Sequence, residues 1–346
     1  MNESFIRSFI FSHHAILVGQ FMNSRWEMKW MAYVLIISSL MAHAVFADTS
    51  RYPEFNESGG HAIHRDNYGE FIARLVSTLY SMDTKGCSGA AYQCSGIMVS
   101  GFERADDYWM KAFPVQSKIS LSFLTKRTVS PQDDVFQGSG FMLWPGGLIK
   151  RYSSRDVFEQ KFTCAFPTDG GTGYELKAGC GGTPPIQYCQ KQHIENASDY
   201  LAAYGDLLNR CGFALGVSAD KDRSAFETTL QLQDYNIRKK LVYPYNEVLI
   251  KGWDKYAPEK IPLLGFFYVD VKSKLTPSGN IYIVQKNQLD FYKKTHLFAP
   301  VIRITGDSWM NVSFRYVESD QSTKIPDVTD VVVDKNSMAI LSHPHK

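Results

Sequence analysis

Ile119-Ser120-Leu121-Ser122-Phe123-Leu124 alternates apolar and small polar residues along its length. A β-strand sends successive side chains to opposite faces, so a period of two reads as a half-buried strand. Similar text flanks it. Ile97 to Val99 follows Cys94-Ser95-Gly96, and Phe141 to Trp144 runs into Pro145-Gly146-Gly147. The polar, turn-rich stretch from Thr125 to Gly140 reads as a long hairpin connection. Val157 to Ala165 fits helix and strand equally.

Helical periods lie on either side of this block. Upstream, Asp48 to His64 is a polar arm with Pro53, Gly59 and Gly60 and no periodicity. Asn67 and Glu70 then form a capping pair for a helix carrying Tyr68, Phe71, Ile72, Leu75, Val76, Leu79 and Tyr80, ending near Met82. Downstream, Pro167 to Pro185 is a Gly-rich loop. Its Gly170-Gly171-Thr172-Gly173 lacks the Lys-Ser/Thr that completes a phosphate cradle. Ser198 caps a helix with Tyr200, Leu201, Tyr204, Leu207 and Leu208, stopped by Gly212 after Cys211. Ser224 and Glu227 box the start of another, with Phe226, Leu230 and Ile237 on one side.

Strand composition returns at Val248–Ile250, Leu263–Val271, Val301–Thr305 and Val312–Val317. A helix of roughly Val284–Lys293 lies between the second and third, and a weak strand at Val331–Val333 sits in the polar tail. Helices mixed with hairpin-linked strands, without regular strand–helix alternation, predict an α+β fold of mixed or antiparallel sheets with several amphipathic helices.

Met28 to Asp48 carries a different message. Met-Lys-Trp precedes an apolar run from Met31 to Met41, followed by Ala-His-Ala-Val-Phe-Ala-Asp. Positive charge, apolar core and small residues at a cleavage point make a secretory signal, with Val45 and Ala47 preceding a cut before Asp48. Ala42 and Ala44 offer a second cut. A membrane anchor needs roughly 20 apolar residues, and His43 and Asp48 close the run too early. Met1, Met22 and Met28 are all plausible starts. The expected layout is a signal region over 1–47, with the signal peptide at about 28–47, and one α+β domain over 48–346. Two intimate lobes, about 65–190 and 191–320, are the finer division.

Charge is nearly balanced, with 37 Lys+Arg against 35 Asp+Glu. That balance gives no reason to propose nucleic acid or an anionic membrane as partner, and no later apolar run approaches membrane length. The partner is left unknown. All six cysteines, Cys87, Cys94, Cys164, Cys180, Cys189 and Cys211, lie beyond the signal. An even count in an exported chain predicts disulfide staples, with neighbour pairing (87–94, 164–180, 189–211) the simplest choice. A metal set of Cys164, Cys180, Cys189 and His193 lacks the short paired spacings of a structural zinc site.

No nucleophile elbow, zinc-protease helix or dinucleotide fingerprint is present. Cys94 with His193 or His296 could form a thiol–imidazole pair. Longer phrases are more informative: Cys94-Ser95-Gly96-Ile97, the Ile119–Leu124 strand, Cys164-Ala165-Phe166-Pro167-Thr168-Asp169, Gly-Cys-Gly at 179–181, Tyr245-Asn246-Glu247-Val248, and Ile261-Pro262 leading into Phe266-Phe267-Tyr268. Together these resemble halovibrin-like secreted bacterial proteins over about Tyr92 to Tyr316. The resemblance implies ADP-ribosyl transfer from NAD. That chemistry uses an Arg on an early strand to grip phosphates, a Ser-x-Ser strand for the ribose, and a late Glu for the oxocarbenium-like transition state. Ser120, Ser122 and Glu247 take the second and third roles. The first departs from the pattern, because Ser100 stands in the Arg position and Arg104 is the nearest guanidinium. Tyr245 also replaces a second carboxylate. On the residues alone, Ser120 and Ser122 read as a solvent face, Glu247 as a surface charge or a partner for Lys251, and Asn246 as a cap after Pro244. The other function class is a non-catalytic periplasmic or secreted binding protein, with Trp109, Phe266, Phe267 and Tyr268 in packing or ligand contact. The two classes separate on whether Glu247 and Ser122 share one concave site.

Overall fold

The computed structural model describes residues 62–82, 89–102, 109, 118–126, 128, 138–146, 157–167, 187–189, 193–204, 211–238, 246–254, 256–271, 279–308, 311–317, 330–334 and 337–342. All belong to one unit, Pro53–Lys346. The signal region, Cys87, Arg104, Cys180 and Tyr245 lie outside the described residues.

The fold is α+β, built on a ten-stranded mixed sheet. In chain order the strands are β1 (Ala62–His64), β2 (Ile97–Gly101), β3 (Lys118–Leu124), β4 (Ser139–Leu143), β5 (Phe162–Phe166), β6 (Gln187–Tyr188), β7 (Cys211–Ala214), β8 (Glu247–Lys251), β9 (Leu263–Val271), β10 (Val301–Ser308), β11 (Asn311–Val317), β12 (Asp330–Asp334) and β13 (Ser337–Ser342). The large sheet runs β11-β10-β9-β4-β2-β3-β8-β5-β7-β6, and β1, β12 and β13 form a small separate sheet. Pairing in the large sheet is antiparallel except at β9–β10 and β6–β7.

Four helices cover the sheet among the described residues: α1 (Arg65–Ser81), α2 (Ala197–Tyr204), α3 (Ala219–Arg238) and α4 (Ile281–Thr295). The first buries the apolar stripe its period predicts, from Tyr68 to Tyr80. It lies against β11, β10 and β2, with Tyr80 edge-on to Phe314. The opposite face carries the main core. There Phe226 and Leu230 of α3 and Val284 and Phe291 of α4 meet Met98, Ile119, Leu121, Phe123, Phe141, Val248, Ile250 and Phe266. Burying this many large side chains, each contributing roughly 1.5–3 kcal/mol, is what holds helices to sheet.

Several helix starts differ from the expected caps. Asn67 and Glu70 fall inside α1, which begins at Arg65. Ser198 lies inside α2, where Asn196 caps by accepting from the Asp199 N–H at 3.0 Å. Ser224 and Glu227 lie within α3, whose first turn is tied by Ser218 Oγ accepting from the Lys221 N–H at 3.4 Å. Polar residues within the first few turns of a helix imitate a cap in sequence. Gly212 does not stop a helix either. It belongs to β7, where a side chain would strike Cys164 Sγ and the Phe166 ring. The polar arm contains β1, and β6 and β13 complete the strands that composition did not mark.

Cys189 and Cys211 are joined across 22 residues, pinning β6 to β7 at the sheet edge. Cys94 and Cys164 are also disulfide-bonded. Their expected partners, Cys87 and Cys180, lie outside the described residues.

Candidate functional site

β3 and β8 are neighbours near the middle of the sheet, paired as Lys118↔Lys251, Ile119↔Ile250, Ser120↔Leu249 and Leu121↔Val248. Alternation then divides the side chains. Ile119, Leu121 and Phe123 with Val248 and Ile250 enter the main core under α3. Lys118, Ser120 and Ser122 with Glu247, Leu249 and Lys251 share the other face.

On that face Ser120 Oγ donates to Glu247 Oε1 at 2.5 Å. The two residues are diagonal neighbours, the relation that brings side chains together between antiparallel strands. A hydroxyl-to-carboxylate bond of this length is charge-assisted and stronger than a neutral one. Glu247 exposes only 2% of its surface, so it is neither a surface charge nor a solvent-side partner of Lys251. Ser120 and Ser122 are half-buried.

The surroundings of the carboxylate are asymmetric. On the β5 side Phe166 stands opposite Glu247, and Cys164 opposite Leu249. Cys164, Phe166 and Leu249 form a small buried apolar cluster on this face. On the other side the register, continued by one step, sets Ser122 beside Glu247, and Ser122 is itself opposite Val99 of β2. The site is thus a carboxylate between an apolar wall and a pair of hydroxyls. Low local polarity strengthens every electrostatic contact made there.

Asn246 fixes where β8 begins. Its Oδ1 accepts from the Phe123 N–H at 2.7 Å and its Nδ2 donates to Phe123 O at 2.8 Å. The amide replaces the backbone pair that the ladder would make at the next step. Nδ2 also donates to Gln233 Oε1 at 2.6 Å, and Gln233 Nε2 donates to Thr128 O at 2.9 Å. Asn246 is therefore a buried clamp between β3 and α3 rather than a turn cap. Its successor Glu247 is turned to the opposite face. The sequence offered a weak signal for this clamp, namely a polar Gln233 among the buried positions of α3.

Other candidates fare differently. Ser100 pairs with Phe141 and, one residue on from Val99, points to the main-core side with Met98 and Phe102. It therefore faces away from Ser122, and a guanidinium placed there could not reach Glu247's face. Cys94 is in a disulfide, which removes the thiol–imidazole pair. Trp109 is buried, its backbone N–H donating to Asn287 Oδ1 at 2.9 Å and its indole to Asp290 Oδ2 at 3.0 Å. Burial pushes the Asp290 carboxyl above the usual carboxylate range, against the Trp109 bond and the nearby Lys293 and Lys286 charges. Phe266, Phe267 and Tyr268 are buried as well, so these aromatics pack rather than present a ligand face. Among the described residues no group of three or more His, Cys, Asp or Glu is placed to hold a metal ion, and no helix is long and apolar enough to cross a membrane.

The residue that the strand's own period could have added is Lys118, two positions before Ser120 on the same face. Burial lowers its ammonium pKa from the ordinary value.

No protein-family model matches the sequence, and no curated protein is significantly similar to it.

Proposed function

We propose that this chain is an exported, halovibrin-like protein that cleaves or transfers at the ribosyl carbon of a dinucleotide, NAD in the first instance, using Glu247 and the Ser120/Ser122 strand. The Ser120–Glu247 hydrogen bond is the observation that carries this reading. It unites two residues 127 positions apart that the family resemblance assigns to one ribose. The serine hydroxyl donates to the carboxylate and orients it. The carboxylate then faces the positive charge that grows on the ribosyl ring as the bond to nicotinamide breaks. Nicotinamide leaves with the bonding electron pair, and water or an acceptor nucleophile adds to the same carbon. A preorganised charge aimed at developing charge is the largest single contribution in many enzymes, about 10²–10³-fold in rate for one group. The disulfides fit an oxidising compartment reached by the signal over 28–47.

The 2% exposure of Glu247 favours a second reading, a non-catalytic secreted or periplasmic binding protein in which the pair only locks β3 to β8. One assay separates them. Wild-type protein incubated with NAD should release nicotinamide, and Glu247→Gln, which keeps the shape and removes the charge, should lower the rate at least about 100-fold with unchanged circular dichroism. A wild-type protein that neither binds nor consumes NAD overturns the transferase reading and leaves the binding one.

A further inference from the structure

Lys118 and Lys251 stand directly opposite each other on β3 and β8, on the face that holds Ser120, Ser122 and Glu247. Like charges directly opposite across an antiparallel pair are destabilising. No described residue pairs with either side chain. On the neighbouring segment, Glu159 is exposed and lies 3.9 Å from Lys161. Glu247 sits four residues from Lys251 along β8, about 13 Å at strand spacing. The carboxylate is thus too far to neutralise the pair. Lys118 is half-buried, and its pKa is lowered by desolvation, which means that the site tolerates its charge at a cost.

We propose that Lys118 and Lys251 form an anion subsite that takes the phosphate groups of a nucleotide whose ribose lies against Ser120, Ser122 and Glu247. An anion between the two ammonium groups turns their repulsion into two charge-assisted contacts. Lys118 is two residues from Ser120, about 7 Å along the strand, a span that suits a phosphate and its attached ribose. The subsite supplies on β3 and β8 the cation that Ser100, facing the other way, does not supply on β2. The identity of the ligand as a nucleotide rests on the function proposed above. Anion binding itself does not.

The test is titration calorimetry at low salt with inorganic pyrophosphate, ADP-ribose and adenosine, on wild type, Lys118→Gln, Lys251→Gln and Glu247→Gln. Pyrophosphate and ADP-ribose should bind wild type and adenosine should not. Each Lys→Gln change should weaken pyrophosphate about tenfold, as expected for loss of one charged hydrogen bond. Glu247→Gln should bind pyrophosphate as wild type does. A thermal shift supplies an independent readout: pyrophosphate should raise the melting temperature of wild type and not of Lys118→Gln, while Lys118→Gln without ligand should melt no lower than wild type. Pyrophosphate that fails to bind, or binds both lysine variants as well as wild type, overturns the subsite. If NAD is consumed with unchanged KM by Lys118→Gln, the transfer reading stands and the subsite falls. If pyrophosphate binding depends on both lysines but NAD is never consumed, the subsite stands and the transfer reading falls.

Discussion

Asn246→Ala should destabilise the protein far more than an average polar substitution. The side chain makes three buried hydrogen bonds, with Phe123 N–H at 2.7 Å, Phe123 O at 2.8 Å and Gln233 Oε1 at 2.6 Å. Phe123 O also accepts from Thr128 Oγ1 at 3.3 Å, so it keeps a donor when the amide goes. The Phe123 N–H has no second acceptor among the described residues, and stranding a buried donor costs about 1–3 kcal/mol. Two further bonds at about 1 kcal/mol each bring the total to about 3–5 kcal/mol. Against a typical stability of about 5–15 kcal/mol, that is a large fraction. The assay is urea denaturation under oxidising conditions, followed by tryptophan fluorescence. A cycle with Gln233→Ala identifies the mechanism, because residues in one network couple by about 0.5–3 kcal/mol. A loss below about 1 kcal/mol, or strictly additive effects of Asn246→Ala and Gln233→Ala, would show that the amide does not clamp the start of β8.

The remaining predictions concern oxidation and alkaline pH. Reducing the chain should lower its stability, with Cys189–Cys211 alone worth about 3 kcal/mol from the entropy of its 22-residue separation; denaturation midpoints unmoved by reductant would contradict the staple. Tyr80 and Tyr92 are buried, and desolvation pushes both phenol pKa values far up, with the Asp222 carboxylate adding to the shift at Tyr92. The folded state keeps these protons above pH 10 while the unfolded chain releases them, so stability falls as pH rises through that value, by about 1.4 kcal/mol per pH unit for each phenol. Tyr80→Phe and Tyr92→Phe should each flatten the decline, and a wild-type stability constant from pH 9 to 11.5 would refute the assignment.

Elements with a clear apolar period are legible from the residues alone. The stripe from Tyr68 to Tyr80 marks α1, the alternation of Ile119 to Leu124 marks β3, and Leu263 to Val271 marks β9 to the residue. Helix starts are less legible, because Ser224 and Glu227 make the same pattern inside α3 that a capping box makes at its start. β7 is hidden for a related reason. Cys211-Gly212 has the composition of a helix stop, whereas the glycine is there to let Cys164 and Phe166 approach. Half of the site follows from local text, since a period of two puts Lys118, Ser120 and Ser122 on one face. The other half does not. Nothing in the residues flanking Glu247 encodes its distance from Ser120, which depends on β8 entering the sheet beside β3 while β4 to β7 are placed elsewhere in it.

That topology also explains how a long separation in sequence can serve a compact site. β4 continues the sheet from β2 on one side, and β5 and β7 extend it from β8 on the other, so the intervening residues move outward and leave β3 and β8 in contact. The central position has a consequence for Glu247. At the sheet edge its carboxylate would be solvated and its charge screened. Between Phe166 and the serine strand it is nearly sealed, and the hydroxyl of Ser120 gives its buried oxygen a hydrogen-bond donor. A purely structural pair placed this way is replaceable, because apolar residues of similar volume are often as stabilising as a buried polar pair. Replacing Ser120 and Glu247 together by Ala and Leu therefore distinguishes the two roles. If the pair only locks two strands, the double variant keeps its stability and every ligand interaction of wild type. If the pair handles a ribose, the double variant keeps its fold but loses NAD turnover while the lysine pair still holds pyrophosphate.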